Sequence, residues 1–318
     1  MKHLQLTFSH WQNGLGLLLA VIFLLAGFLA PWISPEDPRN PGPFMQVKGS
    51  QAGDQTPHPP SANSILGTLP GQFDIFHALI AGIPNALSFG IQITLISSIF
   101  GILYGATAAY AGGKINGLMM RIADSFLAFP VIAGVVMLQQ LWVTVMSNSG
   151  GIYFRNAWVL PPDAPITPIQ ILFQWIDPLI LVLIIFSWMP YARLMNIGVT
   201  ALKNADFIQA AHALGASPAR IILRHLIPNA IPTSIVQATR DMGTLTILQA
   251  TFTFIGLTGG SVWGEMLSMG RNWVIGPGNG VMTYWWTFVP ATLALILFGM
   301  TWNLLGDAIN EFLDPHSY

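Results

Sequence analysis

Long apolar runs punctuate the chain at 14–33, 86–110, 126–146, 231–256 and 285–305. Each supplies the roughly 20 residues that an α-helix needs to cross a hydrocarbon core of about 30 Å. A sixth run, 178–194, has its apolar heart between Leu179 and Trp188 and is expected to span as well, bent at Pro190. Between the first two runs, prolines at 31, 35, 38, 41, 43, 57, 59, 60 and 70 exclude regular helix and central strand, so an external loop is expected there. After it, Ile75, Phe76, Leu79, Ile80 and Ile83 recur at helical spacing and predict a helix over 74–87 lying at the interface. Further external loops are expected at 147–177 and 258–284, and one long cytoplasmic loop at 193–229. The pattern is that of an all-α integral membrane protein with about six transmembrane helices. Its parts are a tail and first span (1–33), an external Pro-rich loop with the interfacial helix (34–85), and a core (86–318).

Composition agrees with this pattern. Of 318 residues, 53% are hydrophobic and only 8% charged, against about 25% charged in soluble domains, and the mean hydropathy is +0.59. Twelve Lys plus Arg against thirteen Asp plus Glu give a net charge of -1, with no basic surplus to neutralise a phosphate backbone, so nucleic-acid binding is excluded. The absence of Cys removes disulfides, thiolate metal sites and Cys nucleophiles.

The first apolar run exceeds the usual signal-peptide core, and Phe28-Leu29-Ala30 is a poor cleavage site, so an uncleaved anchor is expected. With the N-terminus inside, Lys2, Lys114, Arg121, Arg193, Lys203, Arg220 and Arg224 are cytoplasmic, while Arg39, Lys48, Arg155 and Arg271 are external and Arg240 lies within a span. That excess favours an N-in, C-in topology.

The cytoplasmic loop divides into two short helices, 205–213 and 219–226, around a turn at Gly215, with Pro228-Asn229 ending the second. Phe207, Ile208, Ala210, Ala211, Ala213 and Leu214 make the first too apolar to stand alone in water, which implies a partner surface rather than a solvated connector. Elsewhere no G-x-x-x-x-G-K-[ST] loop, H-E-x-x-H pair or G-x-S-x-G elbow occurs, and the seven His lack ligand spacing, so they are expected at surfaces or interfaces. Trp11, Trp32, Trp188, Trp285 and Trp286 fall near span ends, as membrane anchors do.

DFIQAAHALGAS at 206–217, followed by IILRHLIPN at 221–229, resembles the EAA loop of ABC-importer permeases, in the branch that carries dipeptides, oligopeptides and nickel. LGT at 66–68 with Asp74, DSFLAFP at 124–130, FIGL at 254–257, WGEML at 263–267, NLLGD at 303–307 and LDP at 313–315 resemble further segments of that branch, in order. The "C"-type subunit of peptide systems is the nearest type. The chain departs from it at Gln209, which replaces an acid, at Leu69, Gln72, Phe73, Ala78 and Pro84, and at Gln249.

The resemblance implies a type I importer permease fold in a bacterial or archaeal cytoplasmic membrane. It implies as partners a second homologous permease, two ATP-binding subunits, an extracytoplasmic solute-binding protein, a peptide substrate and the lipid bilayer. No cofactor is expected in this non-catalytic chain, because ATP and Mg²⁺ belong to the ATPase subunits. Asp206, Gln209, Ala210, Ala211, Gly215, Arg224 and Pro228 are the implied coupling-loop residues. Arg240, Asp241 and Gln249 are candidates for the translocation path, with Thr239, Thr244 and Thr246 beside them, or for a salt bridge to the partner permease. Asp124 is expected as a cap or charge pair near Arg121. Nickel or another small solute is the alternative cargo, and a stand-alone secondary transporter the alternative class.

Overall fold

The computed structural model describes residues 11–36, 42–49, 53–147, 152–154, 157–159, 167–168, 170–171, 177–257, 260–275, 280 and 282–313. Lys2, Arg39, Arg155, His3, His10, His316, Asp314, Pro315 and much of the second external loop lie outside them. In chain order come α1 (Trp11–Ile33), a hairpin of β1 (Thr68–Leu69) and β2 (Phe73–Asp74), α2 (Ile75–Ala111), α3 (Gly113–Leu127), α4 (Val131–Ser147) and a hairpin of β3 (Ile152–Phe154) and β4 (Ala157–Val159). There follow α5 (Pro178–Ser187), α6 (Met189–Leu202), α7 (Asp206–Ala213), α8 (Pro218–Ile221), a π-helical turn (Ile222–Leu226), α9 (Ile227–Ala230), α10 (Pro232–Phe254), α11 (Val262–Gly270) and α12 (Val289–Leu313).

Among the described residues, four helical segments are long and apolar enough to cross a membrane: Trp11–Ile33, Ile75–Ala111, Pro178–Leu202 and Val289–Leu313. The pair α3 and α4 makes a fifth if counted as one span bent by 75°. The bend falls at Pro130, which disfavours helix at the residue before it, so the third expected run is split between two helices. The run expected at 231–256 is α10, which has the length at 23 residues but carries Arg240, Asp241 and several threonines. The helix expected over 74–87 and the span expected over 86–110 are one element: α2 runs unbroken for 37 residues with Pro84 inside it. The span at 178 also runs on to Leu202, shortening the loop that sequence places from residue 193. Asp177 starts it, accepting from the Leu179 amide at 2.7 Å with Pro178 in the first turn.

The chain folds as two compact units. One comprises 91–241 with 306–313 among the described residues. There α2 meets α6 through Gly101 and Gly105, where an added methyl would overlap the Trp188 and Ala192 backbone, a small-x-x-x-small approach of two helices. Trp188, expected as an anchor, is buried and packs edge-on to Phe100 and Tyr104. Asp124 pairs with Arg193 rather than Arg121, at 2.5 Å.

The second unit comprises 11–90 and 242–305 among the described residues. Its core joins Phe23, Leu69, Ile75, Trp263, Met266, Phe298 and Trp302. α1 leans on α12 at Gly16, where a Cβ would come within 2.7 Å of Leu304 Cβ. Its outer face leaves Leu18, Ile22, Leu25 and Phe28 exposed, as a lipid-facing stripe does, between Trp11 and Trp32. Trp286 is buried rather than an anchor. Gly71 and Gln72 both take left-handed backbone and close the β1–β2 turn. The buried Gln72 amide donates to the Thr56 carbonyl at 2.6 Å, so this departure from the family pattern ties the external loop to the hairpin. His77 is buried, contrary to its expected surface position, between Ser34 Oγ at 2.5 Å and the Gly42 carbonyl at 3.2 Å.

Candidate coupling surface and translocation path

α7 is seated by its apolar face. Ile208 and Ala211 are buried with Ala106, Ala109, Met195, Val199, Ile221, Leu226 and Ala230, a cluster of small and branched side chains that lets short helices pack closely. The two alanines of the motif therefore part company: Ala211 serves this core and Ala210 faces out. Asp206, Gln209, Gly215, Arg224 and Pro228 are exposed too. Asp206 sits in the first turn of α7, where a carboxylate meets the positive end of the helix dipole.

α7 stops through paired bonds. The Ala216 amide donates to the Ala211 carbonyl at 3.0 Å and the Gly215 amide to the His212 carbonyl at 2.9 Å, with Gly215 at φ +77°. This is a Schellman stop, and it wants a residue without Cβ at that position. Ser217 then caps α8, accepting from the Arg220 amide at 3.4 Å with Pro218 in the first turn. Pro228 does not end the helical path as its sequence suggests. A π-helical turn at 222–226 shifts the bonding register just before it, and the Asn229 side chain donates to the His225 carbonyl at 2.6 Å. Gln209 Nε2 donates to the Asn204 carbonyl at 3.0 Å, a bond that an acid in its place could not donate.

Three large apolar side chains also stay outside: Phe207 is 43% exposed, Leu223 57% and Leu214 88%, and no described residue comes within 4 Å of where a Cβ on Gly215 would sit. Sequence marked Phe207 and Leu214; Leu223 joins them because the π-helical turn separates it from the buried Leu226.

On α10, Arg240 and Asp241 point to different partners, as neighbours about 100° apart on a helix must. Arg240 pairs with Asp307 of α12 at 2.5 Å, within the chain. Asp241 accepts from the Tyr191 hydroxyl at 2.6 Å and from Gln237 Nε2 at 2.8 Å. Gln249 and Thr246 are buried, Thr246 donating to the Met242 carbonyl at 2.9 Å. The exposed face of α10 instead presents Thr244, Ile247, Thr251 and Phe254, spaced by three and four residues. The expected path residues are thus distributed over several faces of one helix.

Toward the end of α10, Ser261 caps α11 by accepting from the Gly264 amide at 3.2 Å, and burial holds the Glu265 carboxyl above its ordinary value of 4.5. Among the described residues, no group of three or more His, Asp or Glu is placed to hold a metal.

The model of one family, the binding-protein-dependent transport system inner membrane component, matches residues 98–317. The chain belongs to that family. It is an ABC-importer permease subunit and a multi-pass membrane protein. It is 28% identical over 302 residues to the "Probable D,D-dipeptide transport system permease protein DdpC" of Escherichia coli, covering 93% of this chain and 85% of that one. To the oligopeptide transport system permease protein OppC of Bacillus subtilis it is 26% identical over 306 residues, 94% and 84% of the two chains. To the nickel transport system permease protein NikC of Escherichia coli it is 27% identical over 319 residues, 97% and 95% of the two. Family membership removes the stand-alone secondary transporter. Permeases of this kind are non-catalytic and work with a second permease, ATPase subunits and a binding protein.

Proposed function

We propose that this permease subunit forms half of a peptide-translocating pore in the cytoplasmic membrane and docks on an ATPase subunit through α7 and the turn that follows. The observation that carries the docking is the exposure of Phe207, Leu214 and Leu223 while Ile208 and Ala211 are already packed inside the chain. An apolar surface left over after the internal face is satisfied calls for a second protein. Gly215 adds to this: its open surroundings leave room for a partner's backbone, and the exposed Ala210 of α7 is small. Asp206, Gln209, Arg224 and Pro228 are exposed on the same loop. ATP and Mg²⁺ bind the ATPases, whose closure moves this chain through the docked loop.

Peptide cargo is favoured by the dipeptide and oligopeptide names among the relatives, and nickel is the competing cargo. Arg240 and Asp241 are assigned to holding α10 against α12 and α6, since each already has a partner inside the chain. The path is assigned to the exposed face of α10. The test is the reconstituted complex with its second permease, ATPases and binding protein, assayed for ATP hydrolysis stimulated by di- and tripeptides or by Ni²⁺. Stimulation by Ni²⁺ alone would reject the peptide assignment.

A further inference from the structure

A cleft of about 340 Å³ opens in the second unit, walled by Ile247, Thr251 and Phe254 of α10, by Leu267 of α11, and by Phe288 and Leu295 at the start of α12. Its volume lies at the lower end of ligand pockets. The two hydroxyls in its walls are occupied: Thr251 donates to the Ile247 carbonyl and Thr292 to the Phe288 carbonyl, each at 2.8 Å. The walls are therefore apolar in effect. Arg271, in the 3₁₀ turn after α11, is the one charged side chain lining the cleft, and it pairs with no carboxylate among the described residues. Three of the lining residues, Ile247, Thr251 and Phe254, belong to the exposed face of α10 assigned above to the path.

We infer that this cleft is a substrate subsite for an anion with an apolar arm, namely the C-terminal carboxylate of a short peptide beside a hydrophobic side chain. An unpaired guanidinium at the rim of an apolar wall suits a planar carboxylate, which it grips with two parallel hydrogen bonds. The size fits one hydrophobic residue with its carboxylate, whereas a two-chain lipid would overfill it. The loop that carries Arg271 is external in the N-in topology, so the subsite meets cargo delivered from that side. The inference rests on the peptide reading and specifies which end of the peptide this subunit holds.

The chain has no Cys, so Thr251→Cys places a single thiol in the cleft. In the complete transporter, reconstituted in phosphatidylcholine, N-ethylmaleimide labelling of that thiol is expected to slow at least about fivefold with a pool of dipeptides ending in Phe or Leu. The same pool as C-terminal amides is expected to leave the rate unchanged. Arg271→Gln removes the protection and Arg271→Lys retains part of it. Protection by the amides as well, no protection at all, or protection that appears only with phosphatidylglycerol in the vesicles overturns the subsite. Uptake of the same pool separates the two readings. A wild-type complex that imports Ni²⁺ and no peptide defeats the peptide reading and the subsite with it, whereas peptide import unaffected by Arg271→Gln defeats the subsite alone.

Discussion

The hydroxyl of Tyr191 donates to a carboxylate oxygen of Asp241 across 2.6 Å, joining α6 to α10 over fifty residues of sequence. Tyr191 is fully buried and Gln237 takes the other carboxylate oxygen, so Asp241 is bound on both sides by its own chain. Tyr191→Phe is expected to lower stability by about 1.5–3 kcal/mol, the range for a hydrogen bond to a charged group. Asp241→Asn still accepts from Tyr191, and uptake by it should stay within about fivefold of wild type, equivalent to roughly 1 kcal/mol. Denaturation midpoints of the solubilised complex and initial uptake rates check the pair. A collapse of uptake in Asp241→Asn with an unchanged midpoint would return Asp241 to the path.

Gly215 separates backbone strain from occlusion. At φ +77° a residue with a Cβ costs about 1–2 kcal/mol, but Asn tolerates the left-handed region, and none of the described residues lies near enough to obstruct a side chain there. Gly215→Asn is therefore expected to fold and insert. Gly215→Asp should abolish uptake while the protein inserts normally, because its charged side chain faces the docked subunit. Membrane yield, co-purification of the ATPase and uptake rate together read the outcome; coupled uptake at the wild-type rate by Gly215→Asp would remove the docking assignment.

Much of this site was legible because its signals are local. The turn at Gly215 and the excess apolar character of 207–214 are properties of a few consecutive residues. The inward turn of Ala211 was not legible, because it depends on where Ala106, Ala109 and Met195 arrive from other helices. Likewise the six apolar runs found their helices, but not the continuity of α2 through Pro84 or the bend before α4. Proline inside a helix and proline at its end look alike without the neighbouring packing. Trp188 and Trp286 were misplaced for the same reason: tryptophan near a span end anchors at a lipid interface or fills a core, and only tertiary contacts decide.

Gln209 replaces an acid of the family pattern, and its amide donates to the Asn204 carbonyl where the chain enters α7. If that bond is its whole contribution, Gln209→Glu and Gln209→Ala lose the same donor and cost the same, about 0.5–1.5 kcal/mol. Should Gln209→Glu outperform Gln209→Ala in peptide-stimulated ATP hydrolysis, the side chain meets the ATPase as well, and restoring the acid restores a contact.

Glu265 gives the subunit a pH-dependent stability whose sign follows from burial. Desolvation holds its folded-state value above 4.5, so the folded chain binds the proton more tightly than the unfolded chain. Its neutral form is the one the fold accommodates. Below about pH 4.5 both states are protonated and the group imposes no penalty; as pH rises from there to the elevated folded value, stability is lost progressively. Glu265→Gln keeps the shape and removes the titration. The variant is expected to match wild type at the acid end of this window and to melt at higher temperature than wild type at neutral pH. Parallel melting curves of the solubilised complexes against pH decide the matter, since identical curves would mean that the Glu265 carboxylate finds solvation in the folded state.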